Sequence, residues 1–181
     1  MNKLAIITGA NGGMGQEITK AVARAGYTVI MACHSLDKAE KTFEKIKKET
    51  NGDLVLMHLD LTSYESIFNF VEKVKKDYAP IDLLINNAGV LHPKNKTLNG
   101  KWDHTTMVNY FGHYILTNKL LSSIREGGRI VNVVSLTYKY GNITPQLFDC
   151  GRNSLSQQLK NYSNSKLALL YFSLDLAEQL K

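Results

Sequence analysis

A doubly wound parallel α/β sheet is the fold this sequence predicts, and three observations predict it. Short apolar runs alternate with longer stretches of helical period, the pattern of a sheet covered by helices. The runs are continuously apolar rather than alternating, as strands buried on both faces are. A glycine-rich turn, Thr8-Gly9-Ala10-Asn11-Gly12-Gly13-Met14-Gly15, joins the first run to the first helical stretch. With 181 residues and 44% hydrophobic content, the chain is sized for one well-buried domain rather than two.

The strands are expected at Leu4–Thr8, Thr28–Ala32, Leu54–Leu59, Leu83–Asn86 and Arg129–Val134. Helices are expected near Gly13–Ala25, Leu36–Thr50, Ser63–Lys76, Trp102–Ile124 and Ser156–Leu180. In the third helix Ile67, Phe68, Val71 and Val74 recur at helical spacing. Gly26, Asn51-Gly52 and Gly127-Gly128 follow helical stretches and are read as C-caps. Right-handed crossovers between successive parallel strands then give the doubly wound arrangement.

Composition narrows the function. The formal charge of +6 comes largely from lysines in 38–48 and 73–76, where Glu40, Glu44, Glu49 and Glu72 are interspersed. That mixture reads as solvated helix faces rather than a nucleic-acid surface, because no recognised nucleic-acid motif accompanies the basic residues. Cys33 and Cys150 stand alone, without metal-ligand or disulfide spacing, which predicts a reducing, cytoplasmic setting and no metal. No apolar run approaches the roughly 20 residues that cross a bilayer, and the first residues are too short for a signal-peptide core.

The glycine turn carries the first chemistry. A pyrophosphate held at a helix N-terminus needs backbone N–H groups aimed at it and no Cβ in the way. Gly9 would allow the tight turn, Gly13 the approach of phosphate and Gly15 the packing of helix on strand. An ordinary glycine-rich turn would contain the same residue types, but this one lies in the first βα unit, where the mechanism requires it.

The spacing Thr-Gly-x3-Gly-x-Gly resembles the fingerprint of the short-chain dehydrogenase/reductase family. Further segments follow in that family's order: Leu59-Asp60-Leu61, Asn86-Asn87-Ala88-Gly89, Asn109, Ser135 and Tyr162-x3-Lys166. The resemblance runs from Lys3 onward. Ala32-Cys33, Asn109-x2-Gly112-His113 and Leu116-Thr117 look like the branch containing retinol dehydrogenases and WW-domain oxidoreductases. It implies a Rossmann-like three-layer α/β/α domain that moves a hydride between a nicotinamide cofactor and a carbonyl or alcohol. The cofactor residues it implies are Thr8, Gly9, Asn11, Gly13, Met14, Gly15, Cys33, His34, Asp60, Leu61, Asn87, Ala88 and Gly89, with Tyr162 and Lys166. Asp60 would meet the adenine amino group, or else simply start the helix at Ser63, and Asn87-Ala88-Gly89 would pass beneath the ribose. The family usually continues with further strands and a substrate lid. This chain is therefore expected to be truncated after the Tyr162 helix, to expose the fifth strand's edge, and either to be active or to serve as a non-catalytic cofactor-binding or dimerising module. Helices bearing Asn109 and Tyr162 often form a homodimer interface in the family.

Cofactor choice turns on the end of the second strand. An acidic residue there binds the ribose hydroxyls of NAD and repels a 2′-phosphate. Here that place holds Cys33 and His34, so the reading favours NADP while leaving NAD open. The related branch usually has arginine where His34 stands, and a histidine is only partly charged near neutral pH.

The catalytic set is Asn109, Ser135, Tyr162 and Lys166. Tyr162 and Lys166, four residues apart on a helix, share a face about 6 Å apart. An ammonium beside a phenol favours phenolate and makes Tyr162 a usable general acid or base. With nine tyrosines in the chain, roughly one such spacing arises by chance, so the position downstream of Ser135 carries the weight. Ser135 could hydrogen-bond the substrate oxygen, and by resemblance Asn109 holds a water that relays protons to Lys166. Tyr138, Lys139 and Tyr140 are read as substrate-side loop, and Leu147 and Phe148 as a wall of the substrate mouth or as local packing.

Overall fold

The fold is seen in a computed structural model that describes residues 3–91, 97–98, 102–144 and 154–181. Cys150, Leu147 and Phe148 lie outside the described residues. The chain divides into two compact units. The first comprises Met1–Ala88 with Leu116–Val131, the second Gly89–Ile115 with Asn132–Lys181.

The first unit is built on a five-stranded sheet. Its elements are β1 (Lys3–Thr8), α1 (Gly13–Arg24), β2 (Tyr27–Cys33), α2 (Leu36–Thr50), β3 (Leu54–His58), α3 (Tyr64–Asp77) and β4 (Ile81–Asn86). The strand order is β3-β2-β1-β4-β7, with β7 spanning Ile124–Asn132. β1 pairs in parallel with β2, Ile6 opposite Ile30, and with β4, Ile6 opposite Leu84. Ile6, Ile7, Ile30, Met31 and Leu84 are fully buried, as the continuous apolar runs require. The chain winds outward from β1 to β3, then returns to β1's other side at β4. That reversal opens a crevice outside the carboxyl ends of β1 and β4.

The helices follow their patterns. α1 buries Gly15, Thr19 and Ala23, four residues apart on one face. α3 buries Ile67, Phe70, Val71 and Val74, and Ser63 caps it by accepting a hydrogen bond from the Ser66 amide at 3.2 Å. α2 buries Ala39 and Ile46 and leaves its lysines outward; Lys45 and Lys20 both pair with Glu49. Asn51, in the left-handed region at φ 49°, ends α2 as a C-cap.

The second unit contains β5 (Thr97–Leu98), β6 (Trp102–Asp103), α4 (His104–Thr106), a π-helical turn (Met107–Phe111), the start of α5 (Gly112–Leu120) and α6 (Leu155–Gln179). A short 3₁₀ helix, Leu136–Tyr140, precedes α6 in sequence. It occupies the place where loop was expected for Tyr138, Lys139 and Tyr140.

Three expectations need correction. The helix expected over Trp102–Ile124 is not continuous. Trp102-Asp103 is a strand because Asp103 takes an extended conformation and caps the next turn, accepting from the Thr106 amide at 2.7 Å and hydroxyl at 2.8 Å. At its other end α5 tightens into a 3₁₀ turn, Leu121–Ser123, and Ile124 is already extended. The last strand therefore begins at Ile124 rather than Arg129, and Gly127-Gly128 lie inside it instead of capping a helix. Gly127 has φ +74°, and a Cβ on Gly128 would press on Ile124 and Arg125. This strand is also not buried on both faces: it ends the strand order beside β4, and Val131 is 42% exposed.

Candidate functional site

In the first unit the glycine turn is held from beneath by β4's end. Thr8 Oγ1 accepts hydrogen bonds from the amides of Asn87 and Ala88, each at 2.9 Å. Asn87 Nδ2 donates to the Thr8 carbonyl at 2.8 Å and more weakly to that of Gly9 at 3.3 Å. Gly9 stands at φ +62°, and a Cβ there would come within 2.9 Å of Ala88 Cα. A Cβ on Gly15 would collide with the Gly9 carbonyl and lie 2.9 Å from Asn87 Nδ2, so glycine lets α1 sit directly on the turn. At Gly13 a Cβ would meet nothing, which leaves open space at the helix start.

This arrangement can hold an anion. α1 begins at Gly13 with no acidic residue in its first turn, and Gln16 steadies the loop by donating to the Asn11 carbonyl at 2.9 Å. Met14 is exposed beside it. Asn87 Oδ1 is a buried acceptor without a hydrogen-bond partner among the described residues. An orphaned buried acceptor is costly, and a ligand hydroxyl would satisfy it. The residues present therefore fit the pyrophosphate and a ribose of a dinucleotide.

The ends of β2 and β3 lie side by side, Cys33 opposite His58 in register. Cys33 is buried; burial pushes its thiol up, against hydrogen bonds from the Asn11 and Ala10 backbone. His34 is exposed and brings Nε2 to 3.6 Å from Asp60 Oδ2. Asp60 Oδ1 accepts from the Thr62 amide at 2.8 Å and hydroxyl at 2.7 Å. Burial opposes its charge, but Thr62 and then His34 and His58 outweigh that and hold the carboxyl below its ordinary range. Asp60 thus organises the turn before α3 and still turns one oxygen outward. Leu61 beside it is buried.

In the second unit the proton-handling groups converge on α6. Lys166 is 3% exposed, and burial lowers its ammonium to about 8. Its Nζ donates to the Val133 carbonyl at 2.8 Å and lies 5.9 Å from the centre of the Tyr162 ring. Tyr162 is half-buried on the preceding turn. Ser135 follows Val133 by two residues and caps the 3₁₀ helix, its Oγ accepting from the Thr137 hydroxyl at 3.0 Å and amide at 3.4 Å. Close backbone packing fastens that helix to α6: a Cβ on Gly141 would meet the Ser163 carbonyl at 2.7 Å, and Asn164 accepts from the Asn142 amide at 2.8 Å.

Asn109 lies in the π-helical turn, fully buried. Its Oδ1 accepts from Val90 N at 2.8 Å, and its Nδ2 donates to Val90 O at 3.0 Å and Ser165 Oγ at 3.1 Å. Asn109 therefore ties the segment after Gly89 to the residue preceding Lys166. Both amide hydrogens are engaged, so a proton relay would have to use its main-chain carbonyl or the second lone pair of Oδ1.

The first unit thus gathers Thr8, Gly9, Asn11, Gly13, Met14, Gly15, Cys33, His34, Asp60, Leu61, Asn87 and Ala88, and the second holds Gly89, Asn109, Ser135, Tyr162 and Lys166. Four participants escaped the sequence reading. Ser165 and the Val133 carbonyl act through hydrogen bonds that no spacing announces. His58 reaches the His34–Asp60 pair only through sheet register. His113 is fully buried with Nδ1 3.4 Å from the Asn109 carbonyl, and burial lowers its imidazole to about 3, the Lys166 charge adding to that effect against the carbonyl. The segment Asn109-x2-Gly112-His113 had marked its position, and its i+4 spacing from Asn109 was the signal of a contact, but neither announced its burial. Among the described residues no group of histidine, cysteine and carboxylate side chains could hold a metal ion. No described helix is long and apolar enough to cross a membrane.

A doubly wound sheet with a glycine turn at its switch point defines a dinucleotide-binding class of fold. The family model described as short chain dehydrogenase matches residues 3–181. The chain belongs to that family, within a retinol dehydrogenase-like branch. It is 39% identical to mouse (Mus musculus) retinol dehydrogenase 11 over 183 residues, which cover 99% of this chain and 57% of that protein. It is 37% identical to human (Homo sapiens) polyprenol dehydrogenase over 187 residues, covering 99% and 56%. The crystal structure of an uncharacterized protein from Mycobacterium paratuberculosis superposes with a TM-score of 0.84 at 32% identity, covering 98% of this chain and 62% of the other. The chain spans little more than half the length of the curated relatives it matches.

Proposed function

We propose that this protein is an oxidoreductase that transfers a hydride between NADP(H), with NAD(H) as the weaker alternative, and a small-molecule carbonyl or alcohol. One observation carries the reading: a buried lysine ammonium, anchored on the carbonyl that leads to Ser135, lies one helical turn from Tyr162. Neither the alternative of a surface tyrosine nor that of a strand-end serine calls for such an arrangement.

The pyrophosphate would rest on the N-terminus of α1 over Gly13, and a ribose hydroxyl would meet Asn87 Oδ1. The cofactor, when bound, supplies or accepts the hydride. Tyr162 donates a proton to the substrate oxygen during reduction and takes it back during oxidation. Lys166 stabilises the phenolate and reaches toward ribose hydroxyls. Ser135 receives two hydrogen bonds from Thr137, so its own hydroxyl proton is left to bind the substrate oxygen as negative charge develops. Asn109 braces α6 next to Lys166, and the water relay runs past its carbonyl. The unpaired, inward-facing Cys33 suits a cytoplasmic setting. Nucleic acid has no part in this reading.

The test is NADPH consumption with a panel of aldehydes and ketones. Wild type should turn over, and Tyr162→Phe should lose at least about 100-fold in kcat with NADPH binding retained, the size expected for a general acid. An undiminished rate in Tyr162→Phe would refute the assignment. Saturable NADPH binding without turnover on any substrate would instead mark a cofactor-binding module.

A further inference from the structure

The segment 133–142, which contains Ser135, is fastened to α6 at both of its ends. At the first, the Val133 carbonyl accepts from Lys166 Nζ at 2.8 Å. At the second, Asn164 Oδ1 accepts from the Asn142 amide at 2.8 Å. Gly141 lies so close to α6 there that a Cβ would come within 2.7 Å of the Ser163 carbonyl and 2.9 Å of Leu167 Cβ. The backbone between the two ends has little slack. The Ser135 carbonyl accepts from the Tyr138 amide at 3.0 Å, and the Tyr138 carbonyl from the Gly141 amide at 2.9 Å, so successive 3₁₀ turns link Ser135 to the second anchor. Thr137 holds Ser135 Oγ within the first of those turns.

Resting on the reading above, we propose that this segment is a strut, and that Asn164 and Gly141 are positioning residues that fix Ser135 Oγ relative to the Tyr162 phenol. Asn164 lies two residues beyond Tyr162 on the same helix, so a bond at Asn164 ties the strut to the turn that carries the phenol. Two hydroxyls that serve one substrate oxygen must be held in a fixed relation, and an error of about 1 Å can cost about 100-fold in rate. A strut held only at Val133 is free to pivot about that end. The second anchor removes the pivot.

Fold stability gives a poor account of that anchor. Asn142 is exposed, so water would satisfy its amide if Asn164 did not. Asn164 is 5% exposed, a buried polar side chain spent on an exposed residue of the loop. Gly141 has φ −78°, which any residue adopts, so glycine answers the need for close contact with α6 and not for an unusual backbone.

The experiment makes two measurements on the full chain. Hydrogen exchange at the Asn142 amide should be at least about tenfold slower in wild type than in Asn164→Ala. In NADPH-dependent reduction of whichever aldehyde or ketone of the panel reacts fastest, Asn164→Ala should lose about 10- to 100-fold in kcat with NADPH affinity unchanged. Asn164→Asp, which keeps an acceptor at the same reach, should recover most of that loss. The decisive comparison is Ser135→Ala made in both backgrounds. It should cost about 100-fold in wild type but less than about tenfold in Asn164→Ala, where the hydroxyl is already displaced. An equal cost in both backgrounds overturns the positioning role. So does an Asn142 amide that exchanges as fast in wild type as in Asn164→Ala, whatever the activity. A protected amide in a wild type that turns over no substrate overturns the oxidoreductase reading, and the strut's part in catalysis with it.

Discussion

Lys166 illustrates how a single residue's surroundings can be more informative than its identity. A lysine is ordinarily solvated, and burying its ammonium requires a partner. Here Nζ donates to a main-chain carbonyl, that of Val133, and among the described residues no carboxylate compensates, so burial lowers the group to about 8. If the charged form is the one that supports Tyr162, the free enzyme must lose kcat/KM as pH rises through about 8, because this constant reports groups in the free protein. Lys166→Arg remains charged there, and its profile should lack that limb. An alkaline limb that stays in place in Lys166→Arg would assign the titration to another group and remove Lys166 from the mechanism.

At the scale of elements, the π-helical turn and α6 are the parts whose geometry does most for the candidate site. A π-turn inserts an extra residue into a helix, and such turns concentrate at functional sites. In this chain it brings Asn109 to where one amide can grip both Val90 and Ser165. Together α5 and α6 also leave a set of large apolar side chains outward. Tyr114, Tyr171 and Leu174 are 42%, 57% and 59% exposed, with Tyr114 packed edge-on to Phe172 at 5.0 Å. Exposed apolar surface of this kind marks association, and we propose a homodimer through these helices. Sedimentation at micromolar concentration should give twice the chain mass, and Leu174→Glu should halve it. A wild-type chain that remains monomeric at high concentration would end the idea.

Stability belongs to the molecule as a whole, and buried His113 makes it depend on pH. Burial lowers its imidazole to about 3 in the folded protein, while the unfolded chain returns it to an ordinary value near 6.5. Between those values the unfolded state binds the extra proton, so stability present above pH 6.5 is lost as pH falls toward 3. The slope from this one group is at most about 1.4 kcal/mol per pH unit. Urea unfolding midpoints at pH 7, 6 and 5 should therefore decline more steeply in wild type than in His113→Asn. Equal slopes would show that His113 is not the titrating group. Lys166, by the same reasoning, costs folding stability below about pH 8, and that cost is relieved only as pH rises toward 10.5.

By itself the sequence determined the sheet, the glycine turn, the parallel order of strands and the family. Those features rest on local rules: apolar runs of strand length, helix periods, and a turn that only glycines at 9 and 15 can build. It also named Tyr162, Lys166, Ser135 and Asn109, since order along the chain survives folding. Only the tertiary structure decided the break at Asp103, the early start of β7, the partners of Asn109 and the arrival of His58 beside His34. Each depends on a capping carboxylate, a sheet register or a hydrogen bond between residues distant in sequence. Such interactions form only when separate segments meet, so no window along the chain contains the information to foretell them.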